Sequence, residues 1–185
     1  MNTFRGIEEF YNSYIKIEEI KRTGWVMRAV PSKRLETVSD HTLQVTVLSL
    51  TLCHELNLGF DISKLAQMSF IHDIGEAIIG DISEVDTNYV DKKKPEKDAV
   101  RKMLSSLSKE TQERYFNFWV EMEERKTPLS QFVYQVDKLD AILKAKKYSD
   151  DYNMPELFEE FYNHQLSKGT FNVGPLKEMF DSLKD

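Results

Sequence analysis

Apolar residues recur along this chain at steps of three and four, a spacing typical of amphipathic helices. The segment that starts at Ile62 shows it clearly, with Leu65, Met68 and Ile71 on one side. Glycine and proline, which interrupt helices, are scarce at 7 and 5 residues, and no run of alternating strands is visible. The pattern predicts an all-α fold, an irregular multi-helix bundle, in one domain spanning residues 1–185. Helices are predicted at 5–21, 39–57, 61–76, 95–107, 108–124, 128–148, 155–166 and 174–183, with a loop over 25–37.

Several helix ends carry recognisable signals. Gly24 is predicted to stop the first helix, since glycine is a common helix terminator. Ser39 or Asp40 is the expected N-cap of the second helix. The polar stretch between Gly80 and Pro95 is too irregular to assign to an element.

Histidine and aspartate side chains occupy apolar faces of three predicted helices. His41 shares the face of the apolar residues that follow it, His72 and Asp73 lie within an apolar run, and Asp137 falls on an apolar stripe. A carboxylate in such a setting is costly unless it is paired. For His72 and Asp73 alone, the alternative is a core histidine hydrogen-bonded to its neighbour. Side chains from facing helices can build a metal site in a bundle core.

Two imidazoles and two carboxylates suit a divalent cation with open positions for water. We therefore predict that His41, His72, Asp73 and Asp137 bind a divalent metal. The sequence does not distinguish Co, Mn, Mg, Zn, Fe and Ni.

Two further acids follow the His72-Asp73 pair. Glu76 comes four residues after His72, so it can face the same cavity, although a solvated glutamate at the end of the predicted helix is the alternative. The dipole at the C-terminal end of a helix disfavours an acid there. Asp81 lies just beyond the helix end, where it could protonate a leaving oxygen or hold a water molecule.

Composition narrows the function classes. The formal charge of −6 lacks the basic balance of a general nucleic-acid binder, so we expect no nucleic-acid partner. No apolar run approaches the length of a membrane span, and no membrane partner is expected. Cys53 is the single cysteine, and the N-terminus lacks the apolar core of a signal peptide. These features predict a cytoplasmic location.

The ordered motifs resemble the HD-domain metal-dependent phosphohydrolases, and more closely their 5′-deoxynucleotidase branch. The resemblance runs from about Thr23 to Tyr148. It implies the HD-domain helical fold, metal-dependent removal of phosphate from nucleoside 5′-monophosphates, and a homodimer, for which the aromatic-rich helix 111–124 is a possible surface. It assigns Glu76 and Asp81 catalytic roles, Glu76 as acid/base or second-metal ligand. The motifs that carry it are Thr23-Gly-Trp25-Val-Met-Arg28, Glu36-Thr-Val-Ser-Asp40-His41, His72-Asp73-Ile-Gly-Glu76 through Asp81, and Asp137-Lys-Leu-Asp140.

Arg22, Trp25 and Arg28 are the predicted substrate-binding residues. In well-known bacterial members the substrate-binding pair is Arg-Trp in sequence, whereas Thr23 and Gly24 separate Arg22 from Trp25 here. Both Arg22 and Arg28 are therefore candidates for the phosphate, which suits the planar fork of a guanidinium. Trp25 either stacks on a base or anchors its loop. Asp140 is expected to orient a metal-bound histidine.

Two other functions are compatible with the motifs. One is an HD hydrolase that acts on another phosphate ester, such as a cyclic dinucleotide or an alarmone. The other is a non-catalytic helical module with a structural metal, although such a module would not need Glu76 and Asp81. His54 and His164 match no motif and are left outside the site.

Overall fold

The computed structural model describes residues 3–82, 93–172 and 174–184, and every regular element in these ranges is a helix. The all-α prediction is confirmed. Most of the polar stretch between Gly80 and Pro95 lies outside the described residues. The helices are α1 Thr3–Tyr14, α2 Thr23–Met27, α3 Val38–Glu55, α4 Ile62–Ile71, α5 Glu76–Ile79, α6 Lys93–Leu104, α7 Lys109–Glu124, α8 Pro128–Tyr152, α9 Pro155–Lys168 and α10 Lys177–Asp181, with 3₁₀ turns at Ile15–Glu18 and Ser182–Lys184.

Helix α8 is the centre of the bundle and packs against α3, α4, α7 and α9. Thr127 caps it, and Pro128 occupies its first turn, where a missing N–H costs nothing. Buried apolar side chains from α3, α4 and α8 form the main core, including Val45, Met68 and Val136. Asp137 and Asp140 lie on this buried side of α8, so the core also fixes where these acids point.

Helix α3 begins with a capping box built on Thr37. Thr37 accepts a hydrogen bond from the Asp40 backbone N–H, and the Asp40 carboxylate accepts one from the Thr37 backbone N–H. The prediction of Ser39 or Asp40 as N-cap is therefore wrong by two or three positions, because Asp40 acts as the third residue of the box. The box fixes the first turn of α3, and His41 follows on its fully buried face.

The predicted helix 61–76 breaks at Ile71. Residues 72–75 form a tight turn in which Ile74 N donates to Ile71 O and Glu76 N donates to Asp73 O. A Cβ atom at Gly75 would lie 3.1 Å from a Val100 methyl, so glycine allows α6 to approach closely. Glu76 therefore starts α5, and the expectation that it ends a long helix is wrong.

Two other boundary predictions are wrong. The first helix ends at Tyr14 with a 3₁₀ turn to Glu18, and Gly24 lies inside the short helix α2, which also includes Trp25.

The aromatic side chains of α7 do not form an open surface. Trp119 is buried, and Phe116 and Phe118 are partly buried against the same core cluster, so these aromatic side chains contribute to packing within the chain. Among the described residues, no helix is both long and apolar enough to cross a membrane.

Candidate active site

Four predicted ligands, His41, His72, Asp73 and Asp137, come together between α3, α8 and the turn after α4. The His41 Nε2 atom lies 3.1 Å from Asp137 Oδ1, 3.4 Å from His72 Nε2 and 3.6 Å from Asp73 Oδ2. His72 Nε2 lies 3.2 Å from Asp73 Oδ2. Both imidazoles are buried. His41, His72 and Asp73 thus bring one ligand atom each within 4.8 Å of one another, and Asp137 adjoins this group at His41 Nε2.

The donor set fits a divalent ion. Donors bound to one ion at about 2.1 Å are separated by about 3.0 Å in octahedral and about 3.4 Å in tetrahedral geometry. The separations of 3.1–3.6 Å lie close to these values. His72 Nδ1 lies 2.6 Å from the Ser69 carbonyl oxygen, so Nδ1 carries the proton and Nε2 is the ligand atom. His41 Nδ1 lies 2.8 Å from Asp140 Oδ2, as expected for a carboxylate that orients a metal-binding histidine.

The electrostatics of the cluster favour a cation. Burial and Arg22 oppose a charge on His41, but hydrogen bonds to Asp137 and Asp140 outweigh them and raise the His41 pKa to about 10. Burial alone would raise the Asp73 pKa, yet His72, Arg22 and His41 lower it well below its usual range. Without metal, protons thus occupy the place of a metal ion, so metal binding releases protons.

Arg22, Glu76 and Asp81 form a second group beside these ligands. Arg22 Nη1 lies 2.6 Å from Asp81 Oδ1, 3.4 Å from Asp73 Oδ2 and 3.7 Å from Glu76 Oε2. The Thr23 backbone N–H and hydroxyl both bond to Asp81, which fixes this acid against the start of α2. Glu76 is only 1% exposed, so the solvated alternative for this residue is wrong.

Trp25 and Arg28 occupy different positions from Arg22. Trp25 is 2% exposed, donates from Nε1 to Glu36 Oε2 at 2.7 Å, and stacks on Phe161. These contacts favour the anchoring alternative for Trp25. Arg28 donates to the Gly24 carbonyl, pairs with Glu160 and lies over the Phe161 ring, 4.8 Å from its centroid. Arg22, rather than Arg28, is the arginine next to the proposed metal ligands.

A cavity of about 380 Å³ opens above the cluster, which is within the range of small-molecule sites. The predicted site residues all line it. Sequence reasoning missed most of the outer wall, because all of its residues except Lys138 lie outside the motifs. His164, which had been left outside the site, lies in this wall, whereas His54 is exposed. The wall is contributed by Glu123, Arg125, Tyr134, Lys138, Glu160, Phe161, His164 and Gln165.

Comparison with known proteins gives a consistent result. The HD domain family model matches residues 16–172. A 5′-deoxynucleotidase HDDC2 from Dictyostelium discoideum is 32% identical over 182 residues, covering 95% of this chain and 87% of the relative. The Bos taurus HDDC2 is 30% identical over 165 residues, covering 89% and 78%. A conserved hypothetical protein from Pyrococcus furiosus has a similar structure, with a TM-score of 0.79 and 28% identity, covering 95% of this chain and 97% of that one.

Proposed function

The chain belongs to the HD-domain family, and we propose that it is a metal-dependent 5′-deoxynucleotidase, a hydrolase that removes phosphate from (deoxy)ribonucleoside 5′-monophosphates. The observation that carries the proposal is the position of Arg22, whose Nη1 lies within 3.7 Å of Asp73, Glu76 and Asp81. A structural metal site would not require a partly buried arginine and two further acids. The cation and the acids instead suit the binding and protonation of a phosphate ester.

Each predicted group has a distinct task in this proposal. The chemistry supplied by a divalent ion held by His41, His72, Asp73 and Asp137 is the acidification of water and the polarisation of a phosphoryl oxygen. Arg22 uses only Nη1 for its acid contacts within the described residues, so Nε and Nη2 can bind phosphate oxygens. Phosphoryl transfer depends mainly on such positioning and charge stabilisation.

Glu76 and Asp81 are the proposed proton-transferring residues. Glu76 follows the ligand turn directly and lines the cavity with Asp81. The Asp81 carboxylate accepts hydrogen bonds from Arg22 and from the Thr23 backbone N–H, and the Asp81 carbonyl accepts one from the Thr23 hydroxyl, so the carboxylate keeps a fixed direction. We assign Asp81 to the leaving 5′-oxygen, which it would protonate through a water molecule that it holds or directly once it carries a proton, and Glu76 to accepting the proton of the attacking water.

A substrate panel tests the proposal. Purified protein is stripped of metal, reloaded with Mg, Mn, Co, Ni, Zn or Fe(II), and assayed for phosphate release. The panel contains deoxyribonucleoside and ribonucleoside 5′-monophosphates, 3′-monophosphates, a phosphodiester, a cyclic dinucleotide and an alarmone. We expect 5′-monophosphates to be hydrolysed fastest, because a terminal phosphate dianion offers more charge to the metal and Arg22 than a diester does. Faster cleavage of a diester or alarmone would refute the proposal.

We also propose that the protein is a cytoplasmic homodimer. Cys53 is a buried free thiol, which suits a reducing compartment. Leu43 and Val47 lie one turn apart on α3 and remain 64% and 55% exposed, so they offer an apolar surface for a second copy. Light scattering after gel filtration would test the dimer, and a Leu43→Glu, Val47→Glu double variant would yield monomer if this surface forms the contact.

A further inference from the structure

Glu36 is a buried acid outside the predicted ligand set. It lies just before α3, is 3% exposed and lines the cavity. An ionised carboxylate in such a place needs specific partners. Its two carboxylate oxygens contact two different parts of the site.

The first contact region of Glu36 is the side of the site that carries His41 and Asp140. One ligand atom each from Glu36, His41 and Asp140 lie within 4.8 Å of one another. Lys144, one turn after Asp140 on α8, places its Nζ atom 3.2 Å from Glu36 Oε1. Asp140 in turn bonds the His41 ring at 2.8 Å. Glu36 and Lys144 therefore form an ion pair beside the hydrogen bond between Asp140 and His41.

Glu36, His41 and Asp140 are not suited to binding a second cation. The Lys144 ammonium already lies beside Glu36, and the His41 Nδ1 atom is occupied by Asp140. Glu36, Lys144 and Asp140 are instead arranged around His41 as residues that could fix its position.

The other side of Glu36 faces the segment that carries Arg22. Glu36 Oε2 accepts a hydrogen bond from Trp25 Nε1 at 2.7 Å. The Glu36 carbonyl accepts one from the Arg22 backbone N–H at 2.9 Å, and the Glu36 N–H donates to the Tyr148 hydroxyl at 3.0 Å. One residue thus links the start of α2 to the support of His41.

We propose that Glu36 is a positioning residue that holds the Arg22 segment and the metal-binding His41 in one fixed arrangement, through its bond to Trp25 on one side and through its ion pair with Lys144 beside the His41–Asp140 pair on the other. This inference rests on the proposed function for its link to Arg22. Its other part, the effect of Glu36 on metal binding by His41, can be measured without any substrate.

Measurements of metal affinity and of kinetics on matched variants separate the effect of Glu36 on metal binding from its effect on the Arg22 segment. Glu36→Gln should weaken metal binding about 10-fold or more, the usual scale for groups that support a ligand. Trp25→Phe removes only the donor to Oε2, so it should leave metal affinity within about 2-fold and raise KM more than it lowers kcat. Chelator competition gives the affinity, and the visible absorption of bound Co(II) reports the ligand geometry.

Lys144→Met distinguishes positioning from simple charge. If only the local charge mattered, losing the acid at 36 would weaken metal binding and losing the cation at 144 would strengthen it. If Glu36 is a positioning residue, both variants weaken binding and change the Co(II) spectrum in the same way. The Lys144 variant also decides the matter if Glu36→Gln does not fold.

Glu121→Gln is the control, because it breaks another partly buried ion pair, with Lys64 at 2.7 Å, and neither residue lines the cavity. We expect its metal affinity to equal that of the unsubstituted protein. The proposal is overturned if Lys144→Met binds metal as tightly as the unsubstituted protein or more tightly, if a folded Glu36→Gln binds normally, or if Glu121→Gln weakens binding as much. A protein that binds metal but hydrolyses no 5′-monophosphate would refute the proposed function alone.

Discussion

Replacing Arg22 by methionine should destabilise the metal-free protein strongly. Three acids lie within 3.7 Å of Arg22 Nη1, and the side chains of Asp81 and Glu76 are only 6% and 2% exposed. Methionine keeps much of the volume but removes the charge. Removing one partner of a buried ion pair typically costs about 3–5 kcal/mol, because the remaining charge stays buried. We therefore expect a loss of this size in the free energy of unfolding.

Metal should restore much of that loss. A divalent cation near Asp73 replaces part of the missing positive charge, so the variant should bind metal more tightly than the unsubstituted protein. Ligand present at 100 times its dissociation constant adds about 2.7 kcal/mol to the stability of the folded state. Since tighter binding adds more, the difference between the two proteins should shrink in saturating metal. Activity should not return, because the guanidinium that binds phosphate is absent.

Arg28→Met is the matched control, since Arg28 is also an arginine of the cavity wall. Its partner Glu160 has a side chain that is 53% exposed, and ion pairs of this kind contribute about 0–1 kcal/mol. Urea unfolding in chelator and in saturating metal, together with kcat and KM, gives all the quantities. The reasoning fails if metal-free Arg22→Met is as stable as the unsubstituted protein, or if Arg28→Met loses more stability.

Three further predictions concern individual groups of the site. Asp137→Ala should lose its metal, and full occupancy by elemental analysis would remove Asp137 from the ligand set. Glu76→Gln and Asp81→Asn should keep the metal but lower kcat about 10²-fold or more, the scale of a general acid or base, and near-normal turnover in both would exclude them from the mechanism. The raised pKa of His41, about 10 against 6.5 in the unfolded chain, stabilises the metal-free protein below pH 6.5, and this contribution is lost as the pH rises toward 10. Unfolding curves in chelator between pH 6.5 and 10 should show this decline, and a flat profile would contradict it.

The helices were the most predictable part of the molecule. The 3.6-residue repeat of apolar positions located most of them within a few residues, and Thr127 with Pro128 marks the start of α8 in the sequence itself. The break between Ile71 and Glu76 could not be predicted in this way. Its cause is a tertiary contact, the close approach of Val100 on α6 to Gly75, which lies about 25 residues earlier in the chain.

The clustering of the proposed ligand residues was predictable because each is costly on an apolar helix face without a partner. Glu36 gave a weaker signal, since it stands in a segment without helical periodicity and only the packing of α8 reveals that it is buried. The choice between Arg22 and Arg28 was also inaccessible. Both precede α3 by a short distance, and only the formation of α2 directs one toward Asp81 and the other toward Glu160.

The formation of α2 has a chemical consequence, because it determines which charges balance the metal site. Asp73, Glu76 and Asp81 carry three negative charges when ionised, against one from Arg22, so the metal-free cluster depends on protonated histidines for further positive charge. A divalent ion held by the proposed ligands would supply two positive charges in place of those protons, so Arg22 would keep its acid partners. The excess of acids makes the metal-free cluster sensitive to pH, and by repulsion it would disfavour a phosphate dianion unless a bound cation offsets it.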